Sequence, residues 1–89
     1  MKENVFILSC YSSLRGLIYA QAFRDFNSAL LTLESDLEDD VESGRWNVVK
    51  ANDMSFAGKV TVVTRSTDSD VENEYNITPS GVYTGIPKL

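Results

Sequence analysis

Behind Asp25 the apolar residues Phe26, Ala29, Leu30, Leu33, Leu37 and Val41 recur every three or four positions up to Gly44, a pattern that limits the fold more than any other feature. That period places them along one side of a helix. Asp25 is suited to accept hydrogen bonds from the free N–H groups of the first turn, and Gly44 to take the left-handed position that ends the element, so the spacing predicts a helix over 26–43. On either side the period changes. Residues 5–11 and 17–23 are apolar and rich in β-formers, and the intervening Ser12-Ser13-Leu14-Arg15-Gly16 suits a turn, which predicts an antiparallel hairpin. Residues 46–51 and 59–65 mix apolar and polar positions in the manner of strands with one covered and one wet face.

From Ser66 to Asn76 the chain is polar and acidic, and Pro79, Ser80, Gly81 and Pro87 punctuate the remainder. A loop is expected there, followed by a C-terminal arm or a short edge strand at 82–86. The order β-β-α-β-β, with or without a fifth strand, makes an α+β layer: one amphipathic helix packed on a four- or five-stranded, mainly antiparallel sheet. With 89 residues, the expected organisation is one domain over 1–78 and an arm or edge strand over 79–89. A chain of this size buries about 60–65% of its unfolded surface, which leaves little core to enclose a deep substrate cavity.

The chain contains no histidine. That removes Ser-His and Cys-His nucleophile pairs and every metal site built on imidazole, so the sequence predicts neither an enzyme nor a bound metal or cofactor. The single cysteine, Cys10, has no partner for an internal disulfide and lies in an apolar strand with no basic neighbour, which points to a buried, unreactive thiol. No apolar run approaches the ~18 residues of a membrane span, and the start Met1-Lys2-Glu3-Asn4 lacks the regions of a secretory signal. A cytoplasmic location and no membrane contact are expected.

Charge is the most informative remaining feature. Glu34, Asp36, Glu38, Asp39, Asp40 and Glu42 supply six of the thirteen acids without an intervening base. On a helix, Glu34, Glu38, Asp39 and Glu42 turn away from the Leu33/Leu37/Val41 stripe, while Asp36 and Asp40 flank it. The arrangement is locally adverse. Acids near a helix C-terminus oppose the macrodipole by about 0.3–1 kcal/mol each, and the like-charged pairs Glu34/Glu38 and Glu38/Glu42 cost roughly 0.2–0.5 kcal/mol apiece. Arg45 is positioned to cap the last carbonyls and offset part of this repulsion. A second acidic set, Asp68, Asp70, Glu72 and Glu74, alternates along the chain and would point one way if extended. It does not match a calcium loop, since counting from Asp68 puts Asn73 and Pro79 where glycine and glutamate are needed.

The eight basic residues are dispersed and the net charge is -5, so direct nucleic-acid binding lacks its electrostatic footprint. The sequence predicts a non-enzymatic module that binds another protein's basic surface through the acids just named. A structural module pairing through an edge strand or the C-terminal arm, with the chain as a homo-oligomer, is the second expectation.

The stretch Asn4–Trp46, with its aromatic-rich hairpin followed by Phe23-Arg24-Asp25-Phe26-Asn27-Ser28-Ala29 leading into a helix, resembles small accessory proteins of phages and mobile elements. The resemblance implies no catalytic residue. Because some small acidic members inhibit host defence nucleases, it implies an inhibitor that imitates nucleic acid in a basic groove, acting in the host cytoplasm.

Overall fold

A computed structural model describes residues 2–83 of the chain. The strands β1 (Lys2–Ser12) and β2 (Gly16–Phe23) precede the helix α1 (Phe26–Glu42), and β3 (Trp46–Met54), β4 (Lys59–Ser66) and β5 (Glu72–Tyr83) follow it. A short 3-10 turn, Ser55–Ala57, joins β3 to β4. All strand pairings are antiparallel and the sheet order is β2-β1-β5-β4-β3. The α+β class and the β-β-α-β-β order expected from the sequence are present, with a fifth strand.

The helix forms where its spacing predicts. Asp25 is extended and accepts from the Ser28 amide at 2.8 Å and from the Ser28 hydroxyl at 2.9 Å. At the other end Gly44 adopts φ +75° and turns the chain into β3. Ser43, rather than Arg45, meets the terminal carbonyls: its amide donates to Asp39 and its hydroxyl to the Asp40 carbonyl at 2.6 Å. In the first hairpin, Ser12 Oγ accepts from the amides of Leu14 and Arg15 and closes a turn tighter than the expected five-residue loop.

β5 departs most from the sequence reading. Residues 72–83, expected as a loop and then an arm or edge strand, form a twelve-residue strand between β1 and β4. Residues 79–83 pair with β1 beyond the end of the β4–β5 ladder, as an edge strand would, and the rest of the expected arm, 84–89, lies outside the described residues. Proline is tolerated in so central a strand because of where pairing stops. β4 pairs with β5 from Arg65↔Glu72 to Val60↔Ile77, so Pro79 lies beyond that ladder, opposite Phe6 of β1. The outermost strands of the sheet are β2 and β3.

Along the central part of the inner strands every second residue is buried. Leu8 and Cys10 of β1, Tyr75 and Ile77 of β5, and Val60 and Val62 of β4 join Ala29 and Leu33 of α1 in one apolar cluster. Phe6, Tyr19, Phe23, Phe26, Leu30 and Leu37 pack around it. Gly58, at φ +70°, lets the chain leave the 3-10 turn, and a Cβ there would approach the Phe6 ring to 2.7 Å. Only glycine meets both demands. Beyond Cys10 the inner row turns polar, with Ser12, Asn73 and Thr64 buried at the end of the sheet.

Candidate functional site

The helix presents two lines of acids with different fates. Its inward line runs Ala29, Leu33, Asp36, Asp40, so the apolar seam of the first half continues into two aspartates in the second. Opposite them the register of the sheet places Cys10 of β1 between Tyr19 of β2 and Tyr75 of β5, in one row across adjacent strands. The Tyr19 hydroxyl donates to Asp36 Oδ2 and the Tyr75 hydroxyl to Asp40 Oδ2, each over 2.6 Å. Asp36 and Asp40, expected among the partner-binding acids, are thus engaged by the protein's own sheet.

These contacts shift the groups beneath the helix. Burial pushes both tyrosine hydroxyls well above the ordinary phenol range, and the bond to Asp36 or Asp40 adds to it because an ionised tyrosine could not donate. Burial likewise pushes the Cys10 thiol up; the nearby Tyr75 hydroxyl opposes this, while the charges of Asp40 and Asp36 reinforce it. Cys10 is 2% exposed. A thiol so placed is a poor nucleophile.

The outward acids are Glu34, Glu38, Asp39 and Glu42, and all four are exposed. Glu34, Glu38 and Glu42 succeed one another at i,i+4, with Asp39 on the other flank. Among the described residues the one ion pair is Arg65–Glu72, so none of these four carboxylates is paired with a base of the described residues. The helix carries no basic residue in its last turn.

The second acidic set is dispersed by the fold. Asp68 and Asp70 lie exposed in a bend, whereas Glu72 and Glu74 lie on β5, so the four do not share one extended face. Glu72 is also paired internally: Arg65 donates to its Oε2 from Nε at 2.9 Å and from a terminal nitrogen at 2.6 Å. Glu74, exposed, sits across from Tyr11 of β1 and Val63 of β4 on the sheet face away from the helix.

One feature near the outward acids was not legible from local pattern. Between α1 and the strands β3 and β4 runs a groove of about 230 Å³ with mainly apolar walls, to which Glu34 and Asp53 contribute carboxylates. Asp53 accepts from the Ser55 amide at 2.9 Å and from the Ser55 hydroxyl, and these bonds hold its carboxyl below the usual carboxylate range.

Among the described residues no helix is long and apolar enough to cross a membrane. Comparison with protein-family models, with curated proteins and with solved structures gave no match to this chain.

Proposed function

We propose that this protein is a non-enzymatic binding module whose outer helix face, Glu34, Glu38, Asp39 and Glu42, docks on a basic surface of another protein. The observation that carries this reading is the division of the helical acids. Two have donors inside the fold, while four are exposed with no cation of the described residues against them. The reading takes α1 to lie with its apolar side on the sheet, which the shared buried cluster supports. An exposed line of like charges gains little for the fold and raises association with an oppositely charged partner. The resemblance to phage and mobile-element accessory proteins fits an inhibitor that fills a basic nucleic-acid groove of a host protein in the cytoplasm.

The test exchanges Glu34, Glu38 and Glu42 for glutamine and Asp39 for asparagine. Proteins of the source cell retained by the unaltered chain at low salt are identified, and one with a basic surface is purified for affinity measurement. A loss of at least about tenfold, equivalent to roughly 1.4 kcal/mol, supports the reading. Unchanged affinity for every such protein overturns it.

A further inference from the structure

The groove beside α1 extends this reading from a charged face to a shaped site. Its walls are Leu30, Leu33 and Leu37 of the helix with Ala51, Val60 and Val62 of β3 and β4, and its charged lining is the pair Glu34 and Asp53. β3 is an outer strand, so one edge of its backbone has no strand neighbour. The opposite edge differs. There the helix-side residues Tyr19 and Phe23 of β2 pack against the core, and Tyr19 is tied to Asp36, so that side is roofed. Along β3, by contrast, Ala51 and Asp53 remain exposed toward the helix.

We infer that the groove receives an extended segment of the basic partner, added alongside β3, with apolar side chains against Leu30, Leu37 and Ala51 and flanking Lys or Arg side chains against Glu34 and Asp53. This rests on the acidic-face reading and deepens it. Charge complementarity selects the occupant: an apolar slot whose charged groups are all carboxylates disfavours an acidic segment and leaves a purely charged one without apolar contact. An added strand lies about 4.8 Å from β3 and directs every second side chain to the helix side. The matching segment therefore places its apolar and cationic residues at alternate positions. The unpaired edge supplies main-chain hydrogen bonds, and the groove supplies specificity. The hydrogen bond that Ser55 donates to Asp53 favours the carboxylate form that a cationic side chain would meet.

The test titrates the full chain, followed by amide and methyl NMR, with the peptide Lys-Ser-Val-Ser-Leu-Ser-Lys and with the charge-matched Lys-Ser-Ser-Ser-Ser-Ser-Lys. The inference expects shifts confined to β3, to Val60 and Val62 of β4 and to Leu30, Leu33, Glu34 and Leu37, and binding of the first peptide at least about tenfold tighter than the second. Ala51→Arg, an exposed position whose new side chain fills the slot, should abolish that preference. Mapping on the unaltered chain keeps the test decisive should the variant fold poorly. Equal binding of both peptides, with shifts only around Glu38, Asp39 and Glu42, overturns the groove while leaving the acidic-face reading intact. No shift with either peptide overturns the groove as well, and the four-acid variant then tests the acidic face separately.

Discussion

The hydroxyl of Tyr75 on β5 donates to Asp40 on α1 over 2.6 Å, thirty-five residues away along the chain. This bond and its counterpart from Tyr19 to Asp36 divide the helical acids into those that hold the helix and those left to solvent.

Replacing Tyr75 by phenylalanine retains the buried ring and leaves Asp40 without its donor. Tyr75 is 4% exposed, and a hydrogen bond to a charged acceptor contributes roughly 1.5–3 kcal/mol. Urea unfolding of Tyr75→Phe should show a loss of about 2 kcal/mol at unchanged m. Tyr19→Phe, on the outer strand β2 and less buried, should lose about 1 kcal/mol by the same bond deletion.

The raised tyrosines also set a pH dependence. In the unfolded chain they ionise near the ordinary value of 10.0, whereas in the folded protein they stay protonated above it. Above pH 10 the unfolded state then binds fewer protons, so their contribution is complete below that pH and declines as pH rises past it. Denaturant midpoints should fall on the alkaline side. Phenolate absorbance should show two tyrosines titrating late, one fewer in each single phenylalanine variant.

Gly58→Ala combines two faults, a left-handed backbone and contact with the Phe6 ring. The backbone alone costs about 1–2 kcal/mol, and thermal unfolding should register more than that. Phe6→Leu removes the close ring carbon, so the double variant should be less destabilised than the sum of the singles by about 1 kcal/mol.

Removing the outward charges should stabilise the fold. With Glu34, Glu38 and Glu42 changed to glutamine and Asp39 to asparagine, two like-charged i,i+4 pairs and the adverse interaction with the helix C-terminus disappear. A gain of about 1 kcal/mol in chemical denaturation at low salt, shrinking as salt is added, is expected from those same terms.

Much of this architecture was readable in the chain. The helix followed from a period that few other structures produce, the first hairpin from apolar runs broken by turn residues, and the strands β3 and β4 from their mixture of apolar and polar positions. β5 was obscured because its inward residues include Asn73 and its outward ones Glu72 and Glu74, so composition spoke for a loop although Asn73, Tyr75 and Ile77 already alternate. What makes that segment a strand is the long ladder to β1, a nonlocal pairing. The same limit applies to the acids. Helical geometry placed Asp36 and Asp40 at the margin of the apolar stripe, but their partners, Tyr19 and Tyr75, are brought opposite only by sheet register. Glu34, Glu38, Asp39 and Glu42 needed no such information, since their exposure follows from the helix alone.

In the proposed reading these four carboxylates guide a basic partner onto the helix. That reading is tested most directly by stopped-flow association of the purified partner with the unaltered and four-acid variant chains over a range of salt. An association rate constant on the order of tenfold lower is expected for the variant at low salt, with the two chains converging as salt screens the charges. Equal rates at low salt, with the same salt dependence for both chains, would contradict it.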